Sequence, residues 1–339
     1  MRKGAAAAIS AWKGMSRSQQ ALMGLILFFW AAASLAHLLA WVRHDPPLKI
    51  ELVIFTNTGL LIMAIWHSLE VKGRRDTLAF FGIAVMVSWF CEFIGHNYGW
   101  FFGSYHYTGS LGWRIGGVPA VIIVTWSSIM YAAFMLVDWL LGLNGERRGH
   151  SWPGRALWSV LVAASTATLV CAWDLMIDPF ATSSVWRAVG KEPWWYWMKG
   201  GPYLRGLEVP QDLNPSGGVP IGNFVGWWLA PFIVIFLFVL FFQHPNRVRG
   251  SLFNLFPLLS YSFILFSVAV LVLEMQWYTD RGGRDMVQVA LIGFFTMMPV
   301  ITVSLVKLAR DCWDRGIAER AGGPGTGGGA EGAEEPGVG

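Results

Sequence analysis

The chain has 339 residues, of which 55% are hydrophobic and 14% are charged, and its mean hydropathy is +0.48. A soluble globular domain carries roughly a quarter charged residues, so this composition excludes an ordinary soluble protein and indicates a multi-pass membrane protein. The net charge of +4 is small and the basic residues are scattered between apolar runs, which excludes a nucleic-acid-binding surface.

Eight apolar segments are long enough, or nearly so, to cross a membrane. A spanning helix needs about 20 mostly apolar residues, and a helix pairs the backbone polar groups that lipid cannot. The predicted spans are 21–42, 50–69, 77–94, 118–141, 156–178, 221–242, 252–275 and 286–308. The third is the shortest, so seven spans is the alternative. The sequence therefore predicts an all-α, polytopic integral membrane bundle that forms one domain over residues 1–320 and lies in the cell membrane.

The loops between these spans differ in charge. With eight spans, Lys and Arg are more frequent on the side that carries both termini. Cytoplasmic loops carry this excess in membrane proteins, so we expect both termini in the cytoplasm. The tail, residues 321–339, is rich in glycine, poor in apolar residues and acidic, and we expect it to be disordered.

Acidic residues lie at the ends of three predicted spans. Glu92 ends the third, Asp174 and Asp178 end the fifth, and Glu274 ends the seventh. A charged side chain at membrane depth costs about 2.5 kcal/mol or more, so such groups usually face a protein interior or a wet cavity and have a function. Odd-numbered spans run in the same direction, which predicts that all four acids lie near one membrane face. For Glu274, a helix end at the lipid head groups is the simpler interpretation.

The segment that follows Glu92 is rich in glycine and aromatic residues. Residues 91–109 read CEFIGHNYGWFFGSYHYTG. Trp100 and the two phenylalanines after it are typical of an aromatic belt at the membrane interface, but a belt requires no carboxylate. The segment is therefore also a candidate binding site, whose proposed substrate-binding residues are His96, Asn97, Tyr98, Trp100, Tyr105 and Tyr107.

The DLMIDP motif places two further acids on one helix face, because Asp174 and Asp178 are four residues apart. Two neighbouring carboxyl groups cannot both ionise cheaply, so one should keep its proton and could act as a general acid. Solvation at the helix end is the alternative. Asn223 and Trp227 are further substrate-binding candidates, although Asn223 could instead bond only a neighbouring helix. The predicted catalytic residues are Glu92, Asp174 and Asp178.

A tetrapeptide, G-G-V-P, occurs twice, at 116–119 and at 217–220. Each copy follows a span that ends in an acid and then an aromatic loop. Proline suits the first turn of a helix, because its φ angle is fixed and its missing N–H is not needed there. The repetition indicates either helix-start chemistry or a duplicated helical hairpin.

Metal and nucleotide motifs do not occur in the sequence. The seven histidines form no H-E-x-x-H motif and no H-x-x-H-H cluster, and the three cysteines are far apart. No P-loop and no D-D-x-x-D motif is found. We therefore predict that the protein uses neither a metal nor a cofactor.

In combination, these motifs resemble the carotenoid biosynthesis membrane family, which includes the CruF-type carotenoid 1′,2′-hydratases and bisanhydrobacterioruberin hydratase. The resemblance covers most of residues 50–310. It rests on Glu92 with its Gly/Tyr loop, W-R-I-G-G-V-P at 113–119, D-L-M-I-D-P at 174–179 and G-G-V-P-I-G-N-F-V-G-W at 217–227.

The resemblance implies cofactor-independent hydration of the terminal C=C bond in the ψ end group of a linear or monocyclic carotenoid. An acid would protonate carbon 2, aromatic faces would stabilise the tertiary cation at carbon 1, and water would add. The expected partners are a lipid-soluble carotenoid, membrane lipid and other enzymes of the pathway. Two alternatives remain open: an end-group cyclase that uses the same cation, and a proton-coupled transporter, for which intramembrane acids are also typical.

Overall fold

The structure, a computed structural model, describes residues 12–43, 50–146, 151–183, 185–188, 190–204, 218–248, 252–277 and 283–321. The prediction of a disordered tail concerns residues that, apart from Ala321, lie outside these ranges.

Within the described residues, eight helices are long and apolar enough to span a membrane, which confirms the predicted all-α membrane bundle. They are α1 Arg17–Arg43, α2 Ile50–Val71, α3 Arg74–Tyr98, α4 Ala120–Leu140, α5 Trp152–Ala181, α6 Ile221–Leu237, α7 Phe256–Trp277 and α8 Gly283–Ala321. A π-helical turn, Phe238–Phe242, extends α6, and a 3₁₀ turn, Leu252–Leu255, precedes α7.

The fourth helix lies at the centre of the bundle. α4 is the most buried of the eight spans and packs against α2, α3, α5 and α7. α5 packs most extensively against α6. α1 is the least buried span and lies at the periphery, against α2 and α7. The acid-bearing ends of α3 and α5 are therefore held around the most buried part of the bundle.

α5 continues past Pro179 and past the predicted end of its span at residue 178. Pro179 has no N–H, so it cannot bond the carbonyl of Leu175 four residues earlier. The hydroxyl of Tyr203 donates a hydrogen bond to that carbonyl at 2.9 Å. Because the freed carbonyl has a partner, the helix continues to Ala181.

The loops after α3 and α5 pair with each other beyond the helix ends. Strand β1, Tyr105–Tyr107, is antiparallel to strand β4, Trp195–Trp197, with His106 opposite Tyr196. Between them in sequence, the short strands β2, Arg114–Ile115, and β3, Val118–Pro119, form a hairpin that leads into α4. We call the β1–β4 pair the aromatic cap.

The described residues of the two G-G-V-P segments, 116–119 and 218–220, share two backbone features. The second glycine of each has a positive φ angle, 85° at Gly117 and 73° at Gly218, which is a region that favours glycine. Each proline then precedes a helix, with φ of −64° at Pro119 and −65° at Pro220. The repeated sequence thus produces a repeated turn before α4 and α6.

Equivalent residues of the two hairpins also contact each other. Trp126 and Trp227 each lie seven residues after their proline, and their rings stack with centroids 3.8 Å apart. The central residues of β1 and β4 likewise pair with each other. Contacts between equivalent positions are what a two-fold axis generates, so they support the duplicated hairpin over simple helix-start chemistry.

Charged residues are also buried at the opposite end of α3. Asp76 accepts hydrogen bonds from the backbone and the ring of His244, at 2.8 and 2.7 Å. The Lys72 amine lies 5.1 Å from the centre of the Phe134 ring. Burial lowers the pKa of Lys72, and nearby Asp138 and Asp76 oppose that shift. This cluster ties the α2–α3 connection to the end of α6, a bundle length away from Glu92.

Candidate active site

Glu92 is buried near the end of α3 and accepts hydrogen bonds from three side chains. The hydroxyls of Tyr105 and Tyr107 both donate to its Oε2 atom, the latter at 2.6 Å. The indole N–H of Trp126 donates to Oε1 at 3.0 Å. These donors offset the cost of placing a carboxyl group away from water. Glu92 is therefore a hydrogen-bond acceptor that its three donors hold in one orientation, near the end of the bundle.

The cap determines which donors reach Glu92. Alternate residues of a strand point to the same face, so Tyr105 and Tyr107 both point inward while His106 does not. Burial raises the pKa of Tyr105 and Tyr107 well above the usual value, and the nearby Glu92 carboxyl raises it further. Both phenols therefore keep their protons at neutral pH and remain donors.

The second acid group comes from α5. Asp174 and Asp178 are both buried, and Asn223 of α6 donates its amide to both, to Asp174 Oδ2 at 3.1 Å. Because one amide bonds both carboxyl groups, they lie close to each other. Within the described residues, the Oδ1 atom of Asp174 has no hydrogen-bond partner. Two buried carboxyl groups this close to each other cannot both ionise cheaply, so the pair holds a proton.

Glu92 and Asp178 line the same small cavity, whose volume is about 20 Å³. A cavity of roughly 10–15 Å³ admits one water if two or more polar groups face it. Here Glu92, Asp178, Asn223 and the two tyrosines supply those groups. The remaining walls are apolar or aromatic: Phe102, Ile122, Trp195, Trp197 and Trp227.

The aromatic walls form a continuous cluster. Trp227 stacks on Trp126 with an interplanar angle of 11°, and Trp173 meets Trp227 edge-on with centroids 5.5 Å apart. Phe102 contacts Trp126 edge-on at 6.2 Å. Ring faces attract a cation, most strongly where water is excluded. The small cavity therefore combines acids, room for one water and surfaces that stabilise positive charge.

A larger, mostly apolar cavity of about 470 Å³ adjoins the small one. It lies among α1, α2, α4, α5 and α7, and Ile122 and Trp195 line both cavities. At its edge, Phe28 of α1 is 65% exposed and Phe55 of α2 is 64% exposed. The volume suits a small-molecule ligand, and these two lining side chains are also exposed on the outer surface of the bundle.

Most of the sequence-predicted residues are brought together by the fold. Glu92, Tyr105, Tyr107, Asp178, Asn223 and Trp227 all line the small cavity. Asp174 lies behind Asp178 and shares its amide donor. His96 does not line the cavity but contacts the rings of Tyr105 and Tyr107, with centroids 6.1 and 5.7 Å apart.

Three predicted substrate-binding residues do not reach the cavity. Tyr98 is 67% exposed and Trp100 is 64% exposed. Asn97 donates to the carbonyls of Phe93 and Gly116, at 2.8 and 3.2 Å. The prediction treated this segment as a loop around the acid, but α3 continues to Tyr98, so the side chains of Asn97 and Tyr98 point away from the cavity, and Trp100 follows the end of the helix.

Trp126 was missed by the sequence analysis, although it bonds Glu92 directly. The repeat contained the signal, because a tryptophan follows each G-G-V-P proline by seven residues. Phe102 resembled part of a belt at the membrane interface, but it lines the cavity together with Trp195 and Trp197, the outer residues of β4.

Metal ligands do not converge in the described part of the chain, where no three His, Cys, Asp or Glu side chains lie close enough to hold an ion. The rings of His96 and His106 approach to 5.5 Å, but two imidazoles are fewer than the three protein ligands of a usual catalytic zinc site. The absence of a metal remains a prediction.

Gly95 lets the cap approach α3. A Cβ atom at this position would lie 2.7 Å from the Phe102 ring and 3.1 Å from the Tyr105 ring. We therefore expect Gly95→Ala to displace both rings and lower the thermal unfolding temperature in detergent. Gly82→Ala is the matched control on the same helix, since a Cβ there meets nothing within 4 Å. Equal unfolding temperatures for the two variants would contradict this account of the cap.

Among known proteins, the chain matches one family of sequences. No curated protein and no solved structure matches it. Residues 51–282 match a family described as carotenoid biosynthesis protein. Because this match covers more than half of the chain, the protein belongs to the carotenoid biosynthesis protein family.

Proposed function

We propose that the protein adds water to the terminal C=C bond of the ψ end group of a linear or monocyclic carotenoid. The observation that carries the proposal is the small cavity, in which Glu92 and Asp178 face a space of one-water size with aromatic walls. Family membership supports a carotenoid as the substrate class. Hydration is redox-neutral, so the reaction balances with substrate and water alone.

Asp178 is the proposed acid. Asp178 lines the cavity, whereas Asp174 lies behind it. The two carboxyl groups share one proton, and Asp178 is the member of the pair that can transfer it to the substrate. The π electrons of the double bond take this proton to form a C–H bond at carbon 2, and carbon 1 becomes a tertiary cation. Asn223 holds both carboxyl groups in place and stabilises the negative charge left on the pair.

The aromatic walls stabilise that cation. Trp227, Trp195 and Trp197 line the cavity, and a contact between a cation and such a ring face is worth about 2 kcal/mol when water is excluded. The effect is larger in the transition state than in the uncharged substrate, so it lowers the barrier and does not merely tighten binding.

Glu92 is the proposed base. The water oxygen forms a bond to carbon 1, and one of its protons passes to the Glu92 carboxylate, which gives a tertiary alcohol. Tyr105, Tyr107 and Trp126 hold the carboxylate in a fixed orientation for this step. The cycle closes when the proton gained by Glu92 leaves and the Asp174–Asp178 pair regains one from solvent.

The larger cavity would hold the polyene next to the reacting end. A lipid-soluble substrate would enter from the bilayer near Phe28 and Phe55, which line this cavity and are exposed on the bundle surface. The protein would then act in the cell membrane, beside the enzymes that make its substrate.

Pigment analysis tests this proposal. Expression in a host that makes lycopene or γ-carotene should give a carotenoid heavier by one water, with its new oxygen derived from ¹⁸O-labelled water. When membranes from these cells convert preformed carotenoid in D₂O, the product should carry one new deuterium at carbon 2. The same host with an empty vector is the control.

The alternatives give different results in the same assay. A product with the mass of the substrate and a new ring would identify a cyclase. Unchanged pigments together with proton-linked uptake in vesicles would identify a transporter. Either result would overturn the hydratase proposal.

A further inference from the structure

A second buried polar pair lies in the membrane bundle, apart from the acid site. His37 of α1 and Glu274 of α7 are both buried, and His37 Nδ1 lies 2.8 Å from Glu274 Oε1. Both line the larger cavity. The expectation that Glu274 ends its helix at the lipid head groups is therefore wrong, because its carboxyl group faces the protein interior.

The pair points into the cavity. On α7, the residues that line it are spaced as one helix face, which includes Ser267, Leu271 and Glu274. On α1, alanines at 36 and 40 line the wall beside His37 and leave room around the ring. The Oγ atom of Ser267 has no hydrogen-bond partner within the described residues. A mostly apolar wall thus presents a small group of polar atoms.

Each member of the pair uses only one of its polar atoms. Within the described residues, neither side chain makes a second hydrogen bond. Oε2 of Glu274 is an acceptor, whereas Nε2 of His37 is an acceptor on the uncharged ring and a donor on the charged ring. A hydroxyl group, which both donates and accepts, satisfies the pair in either case.

The pair does not belong to the acid site. Glu92 and Asp178 line the small cavity, His37 and Glu274 line the large one, and Ile122 and Trp195 line both. A ligand that reaches both polar groups must therefore be a long apolar chain with a polar substituent away from its reacting end. A fatty acid fits less well, because its carboxyl group would face the carboxyl group of Glu274.

We propose that the His37–Glu274 pair binds a hydroxyl group carried by the isoprenoid chain at a distance from the reacting double bond. The identity of the chain rests on the proposed function, whereas recognition of the hydroxyl rests on the pair itself. The protein would then prefer hydroxylated substrates over hydrocarbons of the same length.

Binding of a polyene that cannot react tests this separately from hydration. Retinol and retinyl methyl ether share one chain without a ψ end group, and only retinol can donate a hydrogen bond. Both accept energy from tryptophan, and Trp173, Trp194 and Trp195 line the cavity. We expect the purified protein in nanodiscs to bind retinol at least about tenfold more tightly than the ether.

Two variants test whether the pair causes this preference. His37→Leu with Glu274→Leu removes both partners and leaves no unpaired polar group. It should bind the two ligands within about twofold of each other. Glu274→Gln keeps the side-chain volume and adds a hydrogen-bond donor. It should also reduce the ratio between the affinities for retinol and for the ether. Ser128→Ala is the matched control: it lines the same cavity, but its hydroxyl already bonds the carbonyl of Val124 at 2.8 Å, so the preference should persist.

The proposal would be overturned by equal binding of both ligands by the unaltered protein, by an unchanged preference in both pair variants, or by binding of neither ligand. It would also be overturned if oleate competed with retinol and bound as tightly as retinol does, because that result would identify an acyl-chain site. A protein that shows the preference but forms no hydrated product would refute the proposed function alone.

Discussion

Glu92→Gln is expected to lower the rate of hydration by a factor of about 10²–10⁴, because the variant cannot accept a proton from water. The substitution keeps the size of the side chain, but its amide group must face at least one of the donors that now bond the carboxylate. Some loss of stability, about 1–3 kcal/mol, should accompany it. Hydrated carotenoid per amount of folded protein in the membrane is the measurement.

The control for this variant is a buried acid outside the site. Asp138 accepts a hydrogen bond from the Gly145 N–H at 2.9 Å and another from Asn246 at 2.8 Å, near the opposite end of the bundle. Asp138→Asn should lose stability but keep its activity per folded molecule. If Glu92→Gln retained full activity, Glu92 would not be the base.

Asp178→Asn should be equally damaging, for a different reason. The variant has no proton to give to carbon 2, so the cation never forms. Asp174→Asn should lose less, since Asp174 does not line the cavity and acts by positioning Asp178 and sharing its proton. Hydration by Asp178→Asn at the unaltered rate would remove this residue from the mechanism.

Deuterium uptake separates the two roles. In D₂O, Glu92→Gln can still form the cation through Asp178, and the cation can return its proton or deuteron to the pair. Substrate recovered from this variant should therefore contain deuterium at carbon 2. Substrate recovered from Asp178→Asn should contain none. The reverse pattern would exchange the assignments of acid and base.

Local properties of the sequence determined where the helices lie and where most of the acidic residues are placed on them. A run of about 20 apolar residues must be helical in lipid, because no other partner exists there for its backbone groups. The four-residue spacing of Asp174 and Asp178 likewise placed both on one helix face before any packing was known. Parallel odd-numbered helices brought them to the same end as Glu92.

Side-chain direction near a helix end was less predictable. Nothing between Glu92 and Tyr98 stops a helix strongly, and α3 continues to the αL glycine at position 99. That extension turned Tyr98 outward, whereas pairing of β1 with β4 turned Tyr105 inward. Strand pairing joins residues about ninety positions apart, so no local pattern reports it.

The sequence by itself determined a helical membrane protein of the carotenoid biosynthesis family with carboxyl groups at one end. Only the tertiary structure decided that Trp126 bonds Glu92, that Asn223 bridges the aspartates, and that a long cavity ends beside them. The reason is physical. Span formation depends on the solvent around one segment, whereas these contacts depend on how several helices are rotated and packed against each other.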